Sequence, residues 1–225
     1  MIQVFPYERR FDQVFREVRE SPLLDVLDQH RGPGGPGKDP TGIFQVLADD
    51  GFPFEPRLLE CYFPYRSMAL HWRAADLDTQ LVGEFDVVSI DVTPDIRLHV
   101  DDLARQDSDR ALLLELRLLD DISRGGAGRL AAMRFPPGSV TNPEIWFLDR
   151  YHDYVPLDLD YRAYLDNLFI TKGVTGWQYL FADVRLGERE FGYVLDNLRT
   201  MLRVLPDEFP DHDYAPLAAR LEARL

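Results

Sequence analysis

The sequence is poor in thiols, in lysine and in long apolar runs, and each shortage excludes something. Cys61 is the single cysteine among 225 residues. No disulfide can form within the chain, and no cysteine-rich metal site is possible. Cys61 stands beside Leu58, Leu59 and Tyr62, the surroundings of a buried packing thiol in a reducing compartment. No run of about 18 apolar residues occurs, which excludes a transmembrane helix. The opening stretch, MIQVFPYERRFDQVF, lacks the basic and apolar regions of a secretory signal. A cytoplasmic location is the expectation. Lysine appears only at Lys38 and Lys172. Nearly all basic residues are therefore arginine, which reads as nucleotide-composition bias more than selection for guanidinium chemistry.

Positive charge is scarce too. Lys and Arg number 25 against 39 Asp and Glu, for a net charge of −14. The excess is spread along the chain rather than collected in a tail. Such a body repels nucleic acid and anionic lipid, which need clustered cations. Neither is expected as a partner. It attracts a basic protein. Acidity also serves plain solubility, and charge alone favours that reading.

Catalytic signatures are missing as well. Gly32 to Lys38, GPGGPGK, matches the start of a phosphate-binding loop. Asp39 then stands where Ser or Thr should meet magnesium. Two prolines remove amides that should cradle phosphate, and no strand precedes the loop. His30, His71, His99, His152 and His212 show no metal-ligand spacing. Ser139 lacks the nucleophile-elbow pattern. The pairs Asp107/Asp109 and Asp211/Asp213 do not continue into a calcium loop. Trp72, Trp146 and Trp177 sit in apolar patterns and read as core or interface anchors. No metal or cofactor is expected.

What is present is a patterned globular chain, 45% hydrophobic, enough for a substantial core. Phe11, Val14, Phe15 and Val18 mark a first helix. Ser21-Pro22 then predicts a second short helix, Leu23 to Gln29. RGPGGPGKDPTG, residues 31–42, reads as a surface loop. Phe52 to Phe63 reads as a Pro-flanked helix ended by Pro64. Met68–Trp72, Leu81–Ile90, LAAMRF and EIWFLDR read as strands, with turns at 124–128 and around Ser139. Residues 100–122 fit helix or strand equally. Asp160 caps a helix carrying Tyr161, Tyr164, Leu165, Leu168 and Phe169, and Gly173 ends it. Thr175 to Gln178 reads as a capping box for the next helix. A stripe from Phe191 to Leu202 stops at Pro206, and a last helix spans Pro216 to Leu225. Helices, then strands, then helices argue for an α+β fold, a mostly antiparallel sheet covered by helices.

Three blocks of this pattern resemble the SUKH superfamily, the SMI1/KNR4-like proteins. They are FPFEPRLLECYFPYRSMALHWRA (52–74), RLLDDISRGGAGRLAAMRF with EIWFLDRYHDYVPLDL (117–159), and DYRAYLDNLFITKGVTGWQYLF (160–181). The first departs from the family where Tyr65-Arg66-Ser67 replaces its usual Asn-Gly turn. The resemblance covers about residues 45–185. It implies one domain, with N-terminal helices over 8–30, the 31–42 loop and C-terminal helices over 187–225 packed on it. It also implies a protein that works by binding another protein. Many bacterial members look like immunity proteins that neutralise a cognate toxin, often a basic nuclease, by stoichiometric binding. The acidic groups near predicted turns, Asp49, Asp50, Glu84, Asp86, Asp120 and Asp121, are the contact candidates. Exposed turn acids with no role are the plainer reading of each. A regulatory scaffold, an enzyme built from scattered carboxylates and histidines, and a purely structural domain stay open.

Overall fold

A computed structural model describes residues 5–34, 39–76, 79–123, 128–138, 140–150, 152 and 154–225. The core of the Gly-rich loop with Lys38, the turn at 124–127 and Ser139 lie outside them. Among the described residues, seven strands form one antiparallel sheet whose spatial order follows the chain. They are β1 (Leu24–Arg31), β2 (Ser67–Ala74), β3 (Val82–Val88), β4 (Leu116–Ile122), β5 (Arg129–Arg134), β6 (Glu144–Asp149) and β7 (Tyr154–Leu157). With the helices that flank it, the sheet makes an α+β fold.

Side-chain alternation gives the sheet two different faces. On one, Leu70 and Trp72 of β2, Phe85 and Val87 of β3, Met133 of β5 and Phe147 of β6 join the main core. The first helix, α1 (Pro6–Glu20), lies against it with Phe11, Phe15 and Val18 buried. On the other face, Ala132 and Leu148 form a smaller cluster with Leu113 and Leu116. The helices α3 (Val100–Leu103) and α4 (Asp107–Glu115) cover that half. Residues 100–122 are thus helix and strand in succession. Gln106 and Asp109 cap α4 reciprocally, and the chain turns extended at Leu116.

Three predicted details are corrected. Leu23 to Gln29 is not helical: β1 occupies it and pairs with β2 from Leu24↔Ala74 to Arg31↔Met68. The Leu23, Leu24, Val26, Leu27 spacing suits a helix, but a helix here would leave the edge of β2 opposite β3 unpaired. Tertiary pairing overrides the local pattern. The stretch 31–42 is not all loop, because α2 (Pro40–Asp49) begins inside it. The Asp39 carboxylate accepts from the amides of Thr41 and Gly42 at 3.1 Å each, with Pro40 in the first turn. Pro206 does not stop its helix, which runs from Gly192 to Glu208 as α6. Burial of Leu205 and Phe209 on either side holds the last turn.

The segment after β7 follows its prediction until Thr175. Asp160 caps α5 (Tyr161–Thr171), accepting from the Ala163 amide at 2.8 Å. The left-handed exit starts one residue early, at Lys172 (φ 54°), and continues through Gly173 (φ 72°). A Cβ at Gly173 would meet the Glu84 carbonyl oxygen at 2.6 Å. The capping box does not form. The Thr175 amide is spent on the Val82 carbonyl at 2.9 Å. Gly176 instead precedes a 3₁₀ turn, Trp177–Phe181, with no side-chain cap. The last helix, α7 (Ala215–Ala223), closes the chain.

One close approach organises the β2–β3 pair. Gly83 lies under the Trp72 ring, where an added Cβ would stand 2.3 Å from the indole. The indole Nε1 donates to the Lys172 carbonyl at 2.7 Å, so the ring cannot shift freely. Gly83→Ala is expected to cost roughly 1–3 kcal/mol by overpacking, read from urea unfolding. Unchanged stability would mean that Trp72 has room to move.

Candidate functional site

The pattern that positions the main surface feature is the amphipathicity of α2. Phe44 and Leu47 are buried toward the core. Phe44 packs on Phe54, with ring centroids 6.0 Å apart, and Phe52 meets Phe135 edge-on at 5.2 Å. The neighbouring side of the helix stays uncovered, and Val46 is 59% exposed. Opposite it stands a 3₁₀ turn, Thr93–Asp95. Between them lies a groove of about 710 Å³. Ile43, Val46, Leu47 and Phe52 with Pro94 form its apolar floor, and Asp39, Asp50, Asp91 and Asp95 its rim.

The groove's electrostatics are one-sided. Among the described residues, no arginine, lysine or histidine lines it. Asp50 and Asp95 are exposed and make no ion pair among the described residues. Asp49 accepts from the Gln45 side chain at 3.0 Å and stands at the C-terminus of α2, with Asp50 as the C-cap and no basic residue in the last turn. Helix C-termini carry partial negative charge and favour cations. Two carboxylates there raise the negative potential at the groove's mouth, and local propensity gives no reason for them.

The six predicted contact residues separate into three groups. Asp50 lines the groove, and Asp49 precedes it in the last turn of α2, outside the lining. Glu84, Asp86 and Asp121 belong to the sheet. Glu84 and Asp86 alternate with the core residues Phe85 and Val87, so they face the side of β1–β3 away from the main core. In the register, His71 sits opposite Glu84, and Ala69 opposite both Asp86 and His30. The His30 Nε2 approaches Asp86 at 3.9 Å. Burial pushes the Asp86 carboxyl above its ordinary range. Asp121 is half-buried beside them. Glu84 is 3% exposed, a correction for a residue expected on the surface: the strand interior encloses it.

Asp120 is the second correction. It is fully buried at 0% exposure and accepts from the Asp86 amide at 2.8 Å and the Tyr164 hydroxyl at 2.7 Å. It binds strand to helix and is out of reach of any partner. Sequence reasoning missed Ile43, Val46, Asp91 and Asp95. The Asp39-Pro40 start signal and the Ile43, Val46, Leu47 spacing carried the clue for α2.

A second, polar cavity of about 320 Å³ lies beyond the ends of β6 and β7, lined by Arg105, His152, Tyr179, Asp183, Arg185 and Glu188 among others. Convergence of such side chains is what a hidden enzyme site would show. Four of them, Arg105, His152, Tyr179 and Asp183, are engaged structurally. Asp149 pairs with Arg129 at 2.6 Å and accepts from the Tyr179 hydroxyl at 3.0 Å, and Arg105 donates to its carbonyl. Asp183 pairs with Arg224 at 3.0 Å. The His152 ring stacks on Phe191, 4.5 Å between centroids, and among the described residues no nucleophile is bonded to it. Cys61 is fully buried, and burial pushes its thiol up to about 12, far from thiolate chemistry. Among the described residues no group of three metal-ligating side chains converges, and no helix is long and apolar enough to cross a membrane.

No family model matches the sequence, and neither a curated protein nor a solved structure matches it.

Proposed function

We propose that this chain is a non-catalytic binding protein that neutralises a basic protein partner by stoichiometric contact, in the manner of SUKH-type immunity proteins. The observation that carries the reading is the α2 groove, an apolar floor rimmed by four aspartates and, among the described residues, by no cation. Enzyme pockets place a few polar groups against a substrate; this groove offers carboxylates and apolar area, with no histidine, serine or cysteine among its described lining residues. The net charge of −14 adds long-range attraction, which speeds encounter with a cationic protein more than it deepens final affinity. A cytoplasmic nuclease toxin is the partner that fits, since its nucleic-acid site is itself cationic and an acidic surface can occupy it.

The test is co-expression with the product of an adjacent toxin-like gene, followed by gel filtration and a toxin activity assay. A one-to-one complex that silences the toxin and weakens by about tenfold or more between 50 and 200 mM salt is expected, because exposed charges are screened over about 8–10 Å. A complex indifferent to salt, or none with any basic candidate, would move the assignment to the regulatory or enzymatic alternative.

A further inference from the structure

The walls of the groove restrict what can enter it. One is α2 and the other a 3₁₀ turn, so their backbone groups are spent on internal hydrogen bonds. The outermost strands of the sheet are β1 and β7, elsewhere in the fold. A strand from a partner therefore has no ladder to join here, and recognition must come from side chains. The apolar contacts run along α2 as Ile43, Val46 and Leu47, the i, i+3, i+4 spacing of one helix face. Carboxylates stand at each end of that strip, Asp39 at the N-terminus and Asp49 with Asp50 at the C-terminus. Asp91 and Asp95 stand across from it.

We infer that the α2 groove receives a cationic amphipathic helix of the partner, lying alongside α2. The inference rests on the binding function proposed above and names the form its partner takes. A ten-residue helix is about 15 Å long, so roughly three turns of the incoming helix are gripped. Its apolar stripe covers Val46, Ile43 and Phe52. Its arginines or lysines flank that stripe and meet Asp95 on one side and Asp50 on the other. The cation nearest the C-terminus of α2 also answers the helix dipole there. The two acidic residues that weaken the end of α2 in the free protein are thereby compensated in the complex, which is how binding sites commonly depart from local rules.

The experiment uses the full chain and two synthetic peptides of about 14 residues with identical composition, leucine and arginine. One is patterned as an amphipathic helix and the other is scrambled so that no apolar stripe forms. Binding is read by fluorescence anisotropy, and the site by amide chemical-shift changes in the unmodified protein. The helical peptide is expected to bind at least about tenfold tighter than the scrambled one, with shifts centred on 40–52 and 91–95. Val46→Asp and the double change Asp50→Lys/Asp95→Lys should each weaken it by a similar factor. All three positions are solvent-facing, so melting curves should match the parent. Equal binding of both peptides, or shifts centred on the β1–β3 face, overturns the inference. If a basic protein partner still binds at full strength to Val46→Asp, the helix inference fails while the binding function survives on another face. If no basic protein binds the unaltered chain, the function proposed above fails as well.

Discussion

Lys172→Met is expected to lower folding stability by about 2–5 kcal/mol, because the half-buried Glu17 carboxylate keeps only its Gln13 and His212 hydrogen bonds and the Phe169 carbonyl loses a charged donor. Lys172 is completely buried and ends α5 in the left-handed conformation. Its ammonium lies 2.6 Å from the Glu17 carboxylate of α1, donates to the Phe169 carbonyl at 2.6 Å, and stands 3.0 Å from the His212 ring. His212 itself lies between α6 and α7 and reaches the same Glu17 oxygen at 3.1 Å. The Phe209 ring covers the cation at 4.9 Å. Three segments distant in sequence thus meet at one carboxylate. The site is met by a compact ammonium, a point charge that places its three donors without the planar fork of a guanidinium.

Both groups are lowered, which favours the charge on Glu17 and disfavours it on Lys172. Burial lowers Lys172 against the pull of Glu17. Burial alone would raise Glu17, but the His212 hydrogen bond and the Lys172 charge outweigh it and hold the carboxyl at about 2. The 2.6 Å contact and the Phe169 carbonyl favour the ionic form, so we assign the pair as charged. A carboxylate with a depressed value contributes stability above its unfolded value of about 4.3 and loses it as pH falls through about 2. Unfolding of the parent should therefore steepen below pH 4, and Glu17→Gln should remove that component. The double change Glu17→Gln/Lys172→Met should cost less than the two single changes added together. Additive costs in denaturant unfolding would show that the contact contributes nothing as a pair.

These residues also show what could be read from the sequence and what could not. The Asp160 cap, the Gly173 exit and most strands were legible because each rests on signals within a few residues: a cap, a left-handed turn, a β-branched run. The β1 strand was not, since Leu23 to Gln29 carries a helix-like spacing and its conformation is decided by β2, over forty residues away. The helix α2 was hidden by the Gly-Pro segment before it, whose composition reads as loop up to the residue where Asp39 caps the helix. Carboxylates were the hardest to place. Asp120 and Asp121 are neighbours with identical chemistry. The register bulge between Leu118 and Asp120 sends one into the core and leaves the other half-exposed, and no local signal marks it. The groove depends on the approach of residues 91–95 to α2, a contact that only the folded chain reveals.

Asp120→Ala should cost roughly 2–6 kcal/mol, because two buried donors lose their acceptor at about 1–3 kcal/mol each. The described pairing of β3 with β4 is the single Val87↔Asp120 register, and the Asp120 side chain supplements it by accepting the Asp86 amide while holding the Tyr164 hydroxyl of α5. Asp120→Asn keeps an acceptor for that amide, and its own amide group can donate to the Tyr164 oxygen. Its cost should stay within about 1 kcal/mol near neutrality. The pH dependence separates the two roles of the carboxylate. Burial pushes Asp120 up to about 8, against the two hydrogen bonds that favour its ionised form. A value raised above the unfolded one, about 3.9, means that the contribution is complete below pH 4 and is lost as pH rises through about 8. The stability of the parent relative to Asp120→Asn should therefore decline steadily from pH 4 to pH 8 and level off above it. Urea unfolding of both proteins at four pH values across that range measures the difference directly. A flat difference would place the Asp120 carboxyl near its ordinary range and mean that water, or a shift of β4, reaches the site. A decline would establish an uncharged carboxyl at neutral pH as the link between the sheet and α5, with the acidic surface left to Asp50, Asp95 and their neighbours.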